Sequence, residues 1–292
     1  TLSLHDALPI LHIDQQNEPT NLFSFDFLRA YDEAVRLCLE DTQVRGIVVL
    51  SAKRDYIAGG DLRSFANPPE DKSLIFKALM EMHATMRRIE KAGKPIVAAI
   101  NGNALGGGLE FALACHHRIA LDDERIKIGL PEVQLGLIPG GGGTQRLARL
   151  VGLPSAVAYI LQSKLFTPKQ AVDAGILSAV YPDLASLTAA AIEWIQRTPQ
   201  PVQAWDNKSY RIPQGGLVSP VGYQTMAGAI GNLRKQTHGN YPGATYALSA
   251  IHDALSLPID RALEVEARYF ISALYSKEAK NLIRTGFFAI NE

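Results

Sequence analysis

Residues 95–120 read PIVAAINGNALGGGLEFALACHHRIA, and the order of residue types in that stretch decides the fold class. PIVAAI (95–100) is a continuous apolar run with β-branched residues, the pattern of a strand covered on both faces. NGNALGGG (101–108) is a glycine-rich turn, and LEFALACHH (109–117) reads as a helix. RIAL (118–121) and IKIGL (126–130) read as short strands around the polar turn Asp122-Asp123-Glu124. Upstream, GIVVL (46–50) is a second buried strand and LHI (11–13) a shorter one. Residues 24–40 carry Phe27, Leu28, Tyr31, Val35, Leu37 and Leu39 close to helical spacing, with Ser24 as N-cap. Residues 74–92 do the same with Met80, Met82, Met86 and Ile89, and Lys94-Pro95 ends that helix. Strand, helix, strand, helix with short connections predicts an α/β fold with largely parallel strands.

The 292 residues fit one large domain, or one with a smaller companion. Hydrophobic residues make up 47% and charged ones 20%, enough for a sizeable core. Lys plus Arg and Asp plus Glu both number 29, so no broad field draws the chain to nucleic acid or an acidic membrane. No apolar run is long enough for a membrane span, and no secretory signal opens the chain. Cys38 and Cys115 offer no disulfide framework; they fit a reducing compartment, with the cytoplasm as the expected location, and buried positions.

Three regions are expected. Residues 1–10 (TLSLHDALPI) are set apart as a non-native or disordered start, and residues 11–197 form the α/β core. From 198 a Pro- and Gly-rich linker leads into helices at about 223–237, 243–256 and 259–284, the last with an apolar stripe of Ala262, Leu263, Tyr269, Phe270, Leu274 and Leu282. The abrupt stop at Asn291-Glu292 hints at a piece of something longer.

Two strand-to-helix loops could carry chemistry: Ile57-Ala58-Gly59-Gly60-Asp61-Leu62, and residues 101–108 ending in Gly106-Gly107-Gly108. The second opens into a helix whose first amides lack internal partners, which suits an anionic oxygen; tight turns alone would look the same. A third cluster, Pro139-Gly140-Gly141-Gly142-Gly143-Thr144-Gln145-Arg146, meets neither the Walker A pattern nor the GxGxxG spacing, so no nicotinamide cofactor is assigned. It reads as a flexible turn with Arg146 and Arg149 solvated. Glu110 lies in the first turn of the helix after Gly108, and Glu132 follows Pro131 just after a strand. Either could be structural; catalysis needs both at one place. His116-His117 lack a partner at metal-ligand spacing, so no metal is expected.

AGGDL (58–62), NGNALGGGLEFALACHHRIA (101–120) and IGLPEVQLGLIPGGGGTQRL (128–147) resemble the three signature stretches of the enoyl-CoA hydratase/isomerase (crotonase) family, over about residues 11–195. The resemblance implies a crotonase-type spiral of ββα units, followed here by an α-helical C-terminal region. Trp205-Asp206, IPQGG (212–216), THGNYP (237–242) and ARYFISALYSKEAKNLIRTGFF (267–288) resemble the stretch joining hydratase to 3-hydroxyacyl-CoA dehydrogenase in multifunctional β-oxidation enzymes. The resemblance therefore implies a lyase acting on acyl-CoA thioesters. Its partners would be copies of itself, or a β-oxidation complex with a dehydrogenase domain and a thiolase.

Carried over residue by residue, the resemblance makes the backbone N–H groups of Gly60 and Gly107 an oxyanion hole for the thioester carbonyl. Glu110 and Glu132 would hold one water, with Glu110 the base and Glu132 the proton donor, titrating as a pair. Ala58, Asp61, Leu62, Gly106, Pro131 and Gly140 would contact the substrate, and Lys53, Arg54 and Arg63 its phosphates. One departure is that the stretch from Glu110 to Glu132 runs about two residues longer than the family pattern, which we assign to a hairpin tip at Asp122–Arg125. The competing expectations are a 3-enoyl-CoA to 2-enoyl-CoA isomerase or other crotonase chemistry, and a non-catalytic acyl-CoA-binding or docking module.

Overall fold

A computed structural model describes residues 2–5 and 8–289; Thr1, Asp6 and Ala7 of the opening stretch and the stop at Asn291-Glu292 lie outside them. The chain forms two compact units. The first comprises Thr1–Gly60, Ala84–Ile128 and Phe166–Asn207; the second comprises Asp61–His83, Gly129–Leu165 and Lys208–Glu292. Among the described residues no helix is long and apolar enough to cross a membrane.

The first unit is built on a six-stranded sheet. Its strands run in the order Leu2–His5, Leu8–Ile13, Ile47–Ser51, Ile96–Ile100, His117–Leu121 and Ala179–Tyr181. The first two pair antiparallel and every later neighbour pairs parallel. Ile47–Ser51 and Ile96–Ile100 are buried at every position, as continuous apolar runs require in the middle of a parallel sheet. One face packs Val48, Leu50, Val97, Ala99 and Ile119 against Leu187, Ala191 and Ile195 of helix Leu184–Arg197. Truncating Ile195 to Ala there would cost about 2–5 kcal/mol.

Helix Phe25–Glu40 starts where Ser24 predicts, its hydroxyl accepting from the Phe27 amide at 3.2 Å. Phe27, Leu28, Tyr31, Val35 and Cys38 form its buried face, while Leu37, expected inside, is exposed because it lies off that stripe. Both cysteines are buried, as anticipated. The 109–117 helix is Gly107–Ala114 in fact, and His117 already belongs to a strand. That strand has partners on both sides, Ile96–Ile100 and Ala179–Tyr181, so Asp122–Arg125 is not a hairpin tip. It is still an exposed turn, in which Arg125 pairs with Asp123 at 2.6 Å.

The second unit is mainly helical. Helices Gly143–Val151 and Leu153–Leu161 are joined at Gly152, and Pro220–Thr237, Pro242–Ala254 and Ile259–Leu274 follow. The long helix expected over 259–284 breaks, because Ser276 caps a new helix, Lys277–Ile283, by accepting from the Ala279 amide at 3.1 Å. Tyr269, expected on the apolar stripe, is half-exposed and donates its hydroxyl to Asp253 at 2.5 Å.

Candidate active site

Gly60, Gly107 and Glu110, with Ala58 and Gly106, belong to the first unit; Glu132, with Asp61, Leu62, Pro131 and Gly140, belongs to the second.

In the first unit the two glycine loops are laced together. The Ile57 amide donates to the Asn103 carbonyl (3.0 Å) and the Leu105 amide to the Ile57 carbonyl (3.2 Å). The Ala58 amide donates to Asn21 O (2.9 Å), and the Phe23 amide to Gly59 O (2.7 Å). A Cβ on Gly107 would sit 2.6 Å from the Phe23 ring, and one on Gly108 2.2 Å from the Ile57 carbonyl oxygen. Glycine is therefore required for the close approach of loop to helix. Gly106, at φ 51° and ψ −123°, turns the chain into the helix in a conformation that L side chains rarely adopt. Gly107 is the first helical residue, so its N–H has no carbonyl one turn back. Among the described residues no backbone hydrogen bond uses the N–H of Gly60 or of Gly107.

Glu110 is buried in the first turn of this helix, where a carboxylate favours the dipole. Phe111 beside it packs edge-on to Tyr31 (4.8 Å) and Phe27 (5.4 Å). The far end of the helix is braced as well: Gln203 Nε2 donates to the carbonyls of Ala114 and Cys115, both at 3.1 Å, and Arg118 donates to Cys115 O at 2.9 Å. Neither group was singled out in the sequence, where Gln203 lies in the Pro-rich stretch.

Lys53, a candidate for phosphates, turns inward to the carbonyls of Gln15 and Glu18. Arg54 is exposed. His116 and His117 have structural neighbours: His116 Nδ1 accepts from the Ile96 amide and its Nε2 faces Glu90 O, while His117 stacks on Trp194. Among the described residues no group of three His, Cys, Asp or Glu side chains could hold a metal ion.

In the second unit Asp61 caps helix Leu62–Ala66 and pairs with Arg63 at 3.0 Å. Partial burial works against the Asp61 charge but is outweighed by hydrogen bonds from Arg63 and Ser64, which leave its carboxyl below the usual range. Leu62 is half-buried. Pro131 precedes the 3-10 helix Glu132–Leu135, and its carbonyl accepts from the Gln134 amide at 3.0 Å. Gly140 lies against the Phe270 ring, 2.3 Å from where its Cβ would be.

Glu132 is partly exposed as a residue, yet both its carboxyl oxygens are buried, and neither has a hydrogen-bond partner among the described residues. Burial pushes its carboxyl well above the ordinary range, and the charge of Glu266 adds to that; its own amide, too poorly placed to bond, offsets only part. Such a carboxyl holds a proton at neutral pH and can deliver it.

The tetraglycine segment is buried and its arginines are not solvated: Arg146 is 0% exposed and Arg149 3%. Arg146 donates to Gly141 O (3.0 Å), and Arg149 to Gln145 and to carbonyls including Leu257 O (2.9 Å). Carbonyls at the ends of neighbouring turns and helices give these guanidinium groups partners that make burial tolerable, which periodicity along the chain does not reveal.

Glu266 was not singled out in the sequence. It is fully buried on helix Ile259–Leu274 and accepts from the amides of Gly142 (2.6 Å) and Thr144 (2.9 Å). Its signal was present: 266 falls in the buried series 259, 262, 263, 266, 267, 270, a charged residue on an apolar stripe.

Residues 9–205 match the family model for enoyl-CoA hydratase/isomerase. The chain is 35% identical over 297 aligned positions to the fatty acid oxidation complex subunit alpha of Shewanella baltica, covering 98% of this chain and 40% of that protein. It thus spans 40% of the length of such curated relatives. Among solved structures it resembles an enoyl-CoA hydratase from Bacillus anthracis at 25% identity, with a TM-score of 0.60 over 95% of this chain and 91% of that one. An enoyl-CoA hydratase from Rhodobacter sphaeroides, at 22% identity, shares the fold with a TM-score of 0.72 over 100% of this chain and 90% of its own. The architecture is therefore the crotonase-type α/β fold with a helical C-terminal region, and the chain belongs to the enoyl-CoA hydratase/isomerase family.

Proposed function

We propose that the chain hydrates 2-trans-enoyl-CoA to 3-hydroxyacyl-CoA, the lyase step of fatty-acid β-oxidation. The observation that carries this reading is Glu132, whose carboxyl oxygens are buried with no hydrogen-bond partner among the described residues, a setting that favours the protonated form. Addition of water needs such an acid, and it also needs a base. Glu110, at the dipole-favoured start of its helix, is assigned as the base.

As the water oxygen adds to C3, Glu110 takes a water proton. The C2–C3 π electrons shift toward the carbonyl, and negative charge gathers on the thioester oxygen. The N–H groups of Gly60 and Gly107 receive that charge, one such donor lowering a barrier by about 3 kcal/mol. As the charge returns, Glu132 delivers its proton to C2, and exchange with solvent resets both carboxyls. The addition is redox-neutral, so it calls on no nicotinamide. Ala58, Asp61, Leu62, Gly106, Pro131 and Gly140 are assigned to substrate contact. An acyl-CoA substrate and a place in a complex with a dehydrogenase domain and a thiolase belong to the same proposal, supported by the likeness to fatty acid oxidation complex subunits.

Crotonyl-CoA provides the test. Loss of its conjugated thioester absorbance is expected with this chain and absent from Glu110→Gln. A folded sample inert toward crotonyl-CoA and longer enoyl-CoA would overturn the reading and favour a binding module. Isomerisation of 3-enoyl-CoA that survives Glu110→Gln would assign that side reaction to Glu132 alone.

A further inference from the structure

Helix Gly143–Val151 begins without a cap of its own. Gly142, at its N-cap position, has no side chain to offer, and φ of 99° there excludes most residues that could. Glu266 supplies the cap from another helix: Oε1 accepts from the Gly142 amide, and Oε2 from the Thr144 amide and hydroxyl. Arg146 folds back over the same loop, its Nη1 bonded to Gly141 O and 1.7 Å from where a Gly142 Cβ would stand. Glu266 thus meets three donors, a helix dipole and a guanidinium, all of which favour its charged form. Glu132 meets none of these among the described residues.

We propose that Glu266 is a positioning residue for the reaction proposed above: it fixes the loop 140–144 and, with Arg146 as its counter-charge, leaves Glu132 as the carboxyl that carries the proton. The inference rests on the hydratase reading for its consequence in turnover, but the placement of the proton stands on the cluster itself. Two carboxyls interact in a buried volume beside one compensating arginine among the described residues, which leaves the second negative charge uncompensated by them. The proton then resides on the carboxyl with fewer partners. Burial pushes both carboxyls up; Thr144, Gly142 and Arg146 act to bring Glu266 back down, whereas Glu132 has only its own amide acting that way.

Among the described residues the surrounding groups do not supply another charge. His83 is 2% exposed, with neither ring nitrogen bonded among the described residues, and burial together with Arg146 holds it neutral, its pKa lowered to about 3. Arg149, on the same helix as Arg146, is spent on carbonyls at Ala254, Leu255 and Leu257. Glu264, on the helix of Glu266, pairs with Arg261 and Arg268. Helices Pro242–Ala254 and Lys277–Ile283, which pack on Glu132–Leu135, turn His252, Asp253, Lys277, Glu278 and Lys280 to the surface. Beyond Ser163, whose hydroxyl reaches Pro131 O, Lys164 lies over the Tyr159 ring.

The test reads the protonated carboxyl by infrared spectroscopy across pH, assigning the band to Glu132 by its loss in Glu132→Gln. In Glu266→Gln the repulsion is gone, so the Glu132 band should titrate at least about one pH unit lower than in the parent. The alkaline limb of kcat for crotonyl-CoA hydration should move down by the same amount. A purely structural Glu266 would lower Tm and leave both titrations in place, which would overturn the inference. If Glu266→Gln does not fold, the parent decides: a protonated band at neutral pH that persists in Glu132→Gln would put the proton on Glu266 and sink the idea. Because the band needs no turnover, failure to hydrate crotonyl-CoA would count against the hydratase reading alone.

Discussion

A carboxyl with buried oxygens and no partner is costly to ionise, and among the described residues Glu132 is in that position. The consequence can be measured without substrate. Its pKa is raised from 4.5 to about 8 in the folded protein, so between those values the native chain holds a proton that the unfolded chain has released. Stability from this group is fully present below about pH 4.5 and is lost as pH rises through about 8. Glu132→Gln keeps the shape and removes the titration. Urea midpoints of parent and variant, compared at pH 5 and pH 8, should therefore diverge in favour of the variant at the higher pH; parallel behaviour would mean that Glu132 is ionised. Glu132 was legible in the sequence as a candidate and, from the resemblance, as the proton donor; the influence of Glu266, 134 positions away in the chain, was not.

Among the elements, helix Gly107–Ala114 carries the most of the proposed chemistry for its length: an N–H that no backbone bond uses among the described residues at one end, Glu110 in its first turn, and a polar brace at the other end. A helix this short owes little to its own propensity and must be held by its surroundings. Gln203 is part of that hold, since its amide satisfies two of the last carbonyls. Gln203→Leu should leave Ala114 O short of a donor and Cys115 O with Arg118 alone, and cost about 1–3 kcal/mol. A chemical denaturation series would read the loss, and kcat should fall along with stability because Gly107 and Glu110 ride on the same helix. A variant as stable as the parent would show that Arg118 suffices as the brace. The same spacing rules that located the helix misjudged its end by running it into His117, because an apolar run alone does not say where helix gives way to strand.

At the level of the whole molecule, binding is the property to measure. If the chain takes acyl-CoA in its folded form only, a 3-hydroxyacyl-CoA at 100 times its Kd should add about 2.7 kcal/mol and raise Tm in a concentration-dependent way. CoA lacking the acyl chain should do less, and a Tm indifferent to both would argue against the substrate class. The parallel sheet, the start of helix Phe25–Glu40 and the two glycine loops could be read from the chain, because each follows from apolar period, a capping residue or freedom at glycine within a few neighbouring positions. The fate of Arg146 and Arg149, the break at Ser276, the brace from Gln203 and the pairing of Glu266 with the loop 140–144 could not. Hydrogen-bond partners and the loss of water around a charge are set by segments that meet only when the chain folds, and those decide whether a charged side chain is a solvated ornament or a buried part of the chemistry.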